Sequence, residues 1–202
     1  MRELGIKSSV VRKYRHYRSK DQGGIRENLV KRHFHADKPN QVWLSDITYI
    51  HTRKNGWTYL ASVLDVSTRK IVGYAYAQRM TVDLTIAALK NACRNQKYPR
   101  NVILHSDRGS QYTAARYMQQ ASLLHVTQSF SAKGCPYDNA PMEAFHSVLK
   151  KEDVYQSAYL DYEHGRQRLF AYIEGFYNRK RIHSAIGFIS PIQRENLLLS
   201  QA

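Results

Sequence analysis

Three strand-like runs in close succession, Val42 to Ile50, Trp57 to Asp65 and Lys70 to Ala77, limit what this chain can fold into more than any other feature. Each is rich in β-branched and aromatic residues, which suit a pleated, half-buried surface. Arg53-Lys54-Asn55-Gly56 separates the first two. Asn-Gly is a strong hairpin signal, so the three runs read as an antiparallel meander. From Thr81 to Asn95 the period changes, with Leu84, Ala88, Leu89 and Ala92 at helical spacing. Val102-Ile103-Leu104 then forms a short apolar run of the kind found in buried parallel strands. A helix from about Gln111 to Ser122, a short strand near Val126 and a helix from about Asn139 to Lys151 follow. This order predicts an α/β fold, a mixed five-stranded sheet flanked by helices. Tyr162, Leu169, Phe170, Ile173, Phe176 and Tyr177 fall on one helical stripe, which predicts a C-terminal helical extension buried along that stripe. Pro39-Asn40 breaks the chain upstream, dividing a basic N-terminal arm or helical remnant (1–36) from a core with its extension (37–200).

The 202 residues suffice for one ordinary domain with a small appendage. Lys and Arg number 31 against 16 Asp and Glu, a formal net charge of +15. Eleven of the basic residues lie in positions 1–40, against four acids. A surface this positive attracts polyanions, and nucleic acid is the commonest such partner. No apolar run has the length of a membrane span and no long basic amphipathic helix is evident, so no membrane partner is expected. Met1 is not followed by the charged-then-apolar layout of a secretory signal, which points to the cytoplasm. Cys93 and Cys135 are too few for a disulfide scaffold or a four-cysteine metal site.

Between residues 41 and 149 only six acids occur: Asp46, Asp65, Asp83, Asp107, Asp138 and Glu143. Asp46 lies inside the first strand, Asp107 follows the fourth, and Glu143 falls in the first turn of a helix. Neighbouring central strands would bring the two aspartates together, with the helix laying Glu143 across them. Clustered carboxylates repel one another unless a hard cation neutralises them. Mg²⁺ or Mn²⁺ takes such oxygen ligands and leaves positions for substrate phosphates. Two such ions, about 3.5–4 Å apart, can stabilise both the attacking and the leaving oxygen of an in-line phosphoryl displacement. Each acid alone also has an ordinary structural reading: a buried strand carboxylate, a turn residue and a helix-start acid. The joint spacing favours chemistry, since residues 108–142, 35 in all, separate Asp107 from Glu143.

That spacing resembles the D,D(35)E signature of retroviral integrases and DDE transposases. Trp43-Leu44-Ser45-Asp46-Ile47-Thr48-Tyr49, Leu64 to Gly73, His105-Ser106-Asp107-Arg108-Gly109-Ser110-Gln111-Tyr112 and Gly134 to Phe145 resemble the catalytic blocks of bacterial insertion-sequence transposases. Phe176 to Ser184, with Ser190-Pro191, resembles the same family's C-terminal block. Cys135 stands where Asn is usual, and the start at Met1 corresponds to a point well inside a full family member. The family is the one whose catalytic subunit comes from a second reading frame. The resemblance implies a ribonuclease-H-like fold, with Asp46, Asp107 and Glu143 both as catalytic residues and as ligands of two Mg²⁺ (or Mn²⁺) ions. It implies DNA cleavage followed by strand transfer, acting on transposon ends and target DNA in a bacterial, nucleoid-associated setting. A homo-oligomer and the first-frame transposase product are the implied protein partners.

Lys150 lies two helical turns after Glu143, on the same face, where it can hold a phosphate. Arg179, Lys180 and Arg181 can grip the DNA backbone, or simply complement a helix dipole. Asp65 is expected to organise a turn, and Asp138 to cap the Glu143 helix. Two other functions stay open on residues alone. His105 to Arg108 has the His-x-x-Arg spacing of tyrosine recombinases, with Tyr137 as nucleophile, and a basic chain that only binds DNA or blocks an intact transposase needs no chemistry at all.

Overall fold

The computed structural model of the protein describes residues 27–132 and 136–201. Most of the arm, Gly134 and Cys135 therefore lie outside the described residues. Strands β1 (Val42–Thr52), β2 (Gly56–Asp65) and β3 (Ile71–Ala77) form the antiparallel meander. Helix α1 (Val82–Asn95) leads to β4 (Val102–Ser106), and α2 (Ala115–Leu123) leads to β5 (Val126–Phe130). The sheet order is β3-β2-β1-β4-β5, with β4 parallel to both β1 and β5. The mixed five-stranded sheet is thus the expected one. The second helix starts at Ala115 rather than Gln111 because Tyr112 and Thr113 donate to the Gly109 carbonyl, at 3.1 Å each, in a tight turn.

Alternation along the strands divides the core between the two faces of the sheet. Trp43, Ala61, Val63 and Leu104 pack with Leu89 and Cys93 of α1 and with Tyr117 of α2. Leu44, Ile50, Leu60 and Leu64 pack on the other face with Met142, Phe145 and Leu149. Those three belong to α3 (Ala140–Leu149). On the first face α1 approaches β3 so closely that a Cβ on Gly73 would lie 2.4 Å from the Ala92 nitrogen. Glycine against Ala88 and Ala92 is what permits this contact.

Two helices change winding along their length. After Leu149, α3 continues in wider π form over Lys150–Val154, with the Tyr155 amide donating to the Lys150 carbonyl at 2.8 Å. Helix α4 (Tyr162–Phe170) likewise passes into a π segment over Ala171–Tyr177. This corrects the expected stripe. Leu169, Ile173 and Tyr177 are buried, but Phe170 and Phe176 are 61% and 41% exposed, and Tyr172 is buried instead. Wider winding puts residues five apart, such as Tyr172 and Tyr177, on one side and turns Phe176 outward. Helix α5 (Pro191–Ser200) opens with a capping box between Ser190 and Gln193. Asn178 holds this tail to the sheet edge, its side chain accepting from the Ile71 amide (2.9 Å) and donating to the Ile71 carbonyl (3.0 Å).

Asp65 organises the turn after β2 as expected. Its buried carboxylate accepts from the amides of Asn40 (2.6 Å) and Thr68 (2.9 Å) and from the Thr68 hydroxyl (3.0 Å). Burial raises its pKa, and those donors work against the rise. Asp138, by contrast, does not cap α3; Asn139 occupies the cap position and makes no side-chain cap bond. The carboxylate of Asp138 is turned inward to the Ala132 amide (2.9 Å), Asn28 (3.0 Å) and Arg32 (2.7 Å), fastening residues 28–32 to the approach to α3. Asp65→Ala leaves several buried donors without an acceptor and should cost about 2–4 kcal/mol, read from denaturant unfolding. A variant as stable as the wild type would remove Asp65 from this structural role.

Candidate active site

Val42, Trp43 and Leu44 of β1 pair in parallel with Ile103, Leu104 and His105 of β4. Asp107 follows β4 immediately, and that register, continued past its last pair of Leu44 with His105, directs Asp46 and Asp107 to the same side. The electrostatics agree. Loss of surrounding water raises the pKa of the Asp107 carboxyl, and the negative charge of Asp46 raises it further. The Gly109 amide, donating to Asp107 Oδ1 at 2.9 Å, offsets part of the rise. Below the pair, buried Tyr112 hydrogen-bonds Ser45 at 3.0 Å.

Glu143 reaches the site through α3. Asn139 is buried at the start of that helix, and its side-chain amide donates to the Ser45 carbonyl at 3.3 Å, tying the helix to β1 one residue before Asp46. Glu143 then stands exposed in the first turn, with no hydrogen bond or ion pair among the described residues. Asp46, Glu143, His146, Lys150, Lys151 and Tyr155 line a cleft of about 490 Å³. Lys150 thus shares a wall with Glu143, as two turns of helix require. Arg179 and Lys180 lie exposed beyond the second π segment, outside this cleft. Arg181 is held by Glu152, its Nε 3.0 Å from each carboxylate oxygen, so its charge is already partnered.

The donor set fits a hard cation in chemistry, since Asp46, Asp107 and Glu143 all offer carboxylate oxygens. Among the described residues, no group of three His, Cys, Asp or Glu is gathered tightly enough to hold an ion. The expected convergence of the three carboxylates on one ion is thus not met in this structure, where Asp46 and Glu143 line the cleft and Asp107 is not among its lining residues.

His146, absent from the residues singled out in the sequence, is part of the site. Its Nδ1 lies 3.6 Å from Asp46 Oδ2, its side chain is 8% exposed, and its Nε2 has no hydrogen-bond partner. One turn after Glu143, it belongs to the face that carries Glu143 and Lys150, and that spacing is the signal that marks it. The His-x-x-Arg alternative loses its histidine. His105 is buried in β4, with its ring nitrogens engaged by Ser129 (2.8 Å) and Ser131 (3.1 Å), and burial lowers its pKa.

A mixed 3-2-1-4-5 sheet with aspartates at its centre and a covering helix that carries a glutamate defines an integrase-type catalytic core of ribonuclease-H-like fold. The comparisons agree. One integrase core domain family matches residues 36–136 and a second matches residues 124–191. Transposase InsF for insertion sequence IS3A from Escherichia coli (strain K12) is 42% identical over 197 residues, covering 97% of this chain and 68% of the relative. The transposase for insertion sequence element IS904 from Lactococcus lactis subsp. lactis (strain IL1403) is 42% identical over 179 residues, covering 89% and 70%. In fold, the chain superposes on the simian T-cell lymphotropic virus intasome in complex with PP2A regulatory subunit B56 gamma, with a TM-score of 0.67 at 17% identity, covering 80% of this chain and 56% of that one. The HTLV-2 integrase catalytic core domain in complex with magnesium, in its trimeric form, gives 0.59 at 14% identity, covering 78% and 97%. The chain belongs to the insertion-sequence transposases with an integrase catalytic core, a family of enzymes that break and join DNA.

The turn after β4 supplies a test of the site that spares the fold. A Cβ on Gly109 would lie 2.9 Å from Asp107 Oδ1, a side-chain end that can swing aside. Gly109→Ala should therefore keep the wild-type melting temperature within about 3 °C yet lower nicking of plasmid DNA, assayed with Mn²⁺ added, roughly tenfold or more. Full activity in this variant would show that the Asp107 rotamer is not set by the turn.

Proposed function

We propose that this chain catalyses metal-dependent DNA cleavage and strand transfer through Asp46, Asp107 and Glu143, the D,D(35)E set. The observation that supports the reading is the parallel register of β1 and β4, which directs Asp46 and Asp107 to the same side, beside a lysine-bearing cleft that Asp46 and Glu143 line. The three carboxylates would hold Mg²⁺ or Mn²⁺, two ions in all, which supply Lewis-acid stabilisation of the attacking and leaving oxygens. Lys150 and Lys151 bind phosphate oxygens along the cleft and neutralise the strand as it enters. His146 packs against Asp46 and keeps its carboxylate turned toward the cleft. In the first step a water oxygen bonds to phosphorus as the bond to the 3′-oxygen breaks. In the second, the freed 3′-hydroxyl attacks a phosphodiester of the target, whose own 3′-oxygen leaves. No covalent bond to the protein forms in either step.

The substrates in this reading are the transposon ends and target DNA. Arg179 and Lys180 contact backbone phosphates away from the cleft, and Arg181 contributes by bracing Glu152. The active unit is a homo-oligomer that works with the first-frame product. The net charge of +15 supports a DNA partner, and no helix among the described residues is long and apolar enough to cross a membrane.

Asp46→Asn, Asp107→Asn and Glu143→Gln should each lower Mn²⁺-dependent cleavage of an end-bearing duplex by about 10³-fold or more. DNA binding measured in EDTA should persist or strengthen, because each change removes a negative charge facing phosphates. Cleavage that survives all three substitutions, or a protein–DNA adduct formed in EDTA, would overturn the assignment.

A further inference from the structure

Beside the carboxylate cleft lies a surface that the chemistry above does not use. The β1–β2 hairpin pairs Tyr49 with Tyr59 and His51 with Trp57 across its strands. On this sheet face, farther from the turn, Trp43, Ala61 and Val63 are sealed in the core. At the hairpin end Tyr49 is instead 48% exposed and Trp57 59% exposed. Tyr155, at the end of the first π segment, is 70% exposed and faces them. The hairpin rings meet edge-on: Tyr49–Tyr59 centroids are 5.3 Å apart and His51–Trp57 centroids 5.1 Å. Together with Lys150 and Val154 these side chains enclose a hollow of about 600 Å³. Tyr49, Lys150 and Tyr155 also line the cleft of Asp46 and Glu143, so the two hollows share walls.

We propose that this surface is a stacking platform for an unpaired DNA base, one nucleotide of the strand whose phosphate lies in the carboxylate cleft. The proposal rests on the cleft being the DNA-cleaving site. Nucleobases of any sequence stack on aromatic faces while adjacent cations hold their phosphates, and the hollow offers both kinds of group. Lys150 stands within it, Lys151 lines the adjoining cleft, and Arg53 and Lys54 are exposed at the hairpin tip. The same charges, on a chain of net +15, oppose a second copy of the protein docking here face to face. The hairpin that carries the platform is tied down at its tip. The Arg53 amide donates to the Tyr159 carbonyl and the Lys54 amide to the Leu160 carbonyl, both at 2.9 Å, and the Tyr162 amide donates to Asn55 Oδ1 at 2.8 Å. A preformed surface orders little on binding, so more of the stacking energy appears as affinity.

The test compares duplexes that carry a short thymidine tail with duplexes that carry an abasic tail of equal length and charge, by fluorescence anisotropy in EDTA. The wild type should bind the thymidine tail roughly tenfold more tightly. Trp57→Ala should erase that difference and leave binding of the abasic duplex unchanged, and Trp57→Phe should restore most of it. Equal affinity of the wild type for both tails would overturn the platform, as would a Trp57→Ala protein of wild-type melting temperature that still discriminates. So would a loss of dimer in sedimentation with discrimination intact, which would mark the surface as a self-association site. Mn²⁺-dependent cleavage of the same duplexes separates the two readings: cleavage without discrimination sinks the platform alone, and a wild type that neither binds nor cleaves them sinks both.

Discussion

Three residues of parallel pairing, Val42 to Leu44 against Ile103 to His105, set the position of the aspartates and through them of the whole site. Because side chains alternate along a strand, a slip of one residue would throw Asp46 and Asp107 onto opposite faces. Register is held by burial: Trp43, Leu44, Leu104 and His105 are all 1% exposed or less, and they pack on both faces of the sheet at once. Loss of surrounding water raises the pKa of Asp107, the Gly109 amide draws it down, and the charge of Asp46 adds to the rise.

Strand β1 also outruns its partner. Beyond Leu44 it has no hydrogen-bonded neighbour on the β4 side, and α3 lies close to that stretch. Asn139 fixes where the helix starts, and the cleft-facing residues Glu143, His146 and Lys150 follow at intervals of three and four. The apolar side of the same helix, Met142, Phe145 and Leu149, is buried on the sheet. One amphipathic helix therefore anchors itself in the core and presents an acid, an imidazole and a cation to the open edge. The passage to π winding at Lys150 carries Tyr155 round to face the hairpin, where it joins the aromatic cluster.

The segments that approach the site from either end of the chain are structural in what they contact. Residues 28–32 reach Asp138 at the approach to α3, and the C-terminal block folds back so that Asn178 closes on Ile71 and Lys70 pairs with Glu195 at 2.6 Å. Of the three basic residues following the second π segment, Arg181 is bound to Glu152 while Arg179 and Lys180 face solvent. A run of like charges is therefore divided between bracing the fold and meeting the outside.

Local rules reached far in this chain. Period-two runs, an Asn-Gly turn and helical spacing determined the element order, because strands and helices announce themselves through which residues must be buried. The three acids stood out because their neighbourhood holds so few others and their spacing matches a known catalytic pattern. Tertiary structure decided the rest. That Asp138 turns inward instead of capping depends on Arg32 and Asn28, which lie more than a hundred positions away. That Phe176 faces outward while Tyr172 is buried depends on winding that widens after Phe170, which an ideal helical period does not contain. That His146 meets Asp46, and that five rings gather beside them, depends on the distance between a helix and a strand end. No local pattern encodes such a distance, because it is fixed by how two faces of one sheet fill their cores together.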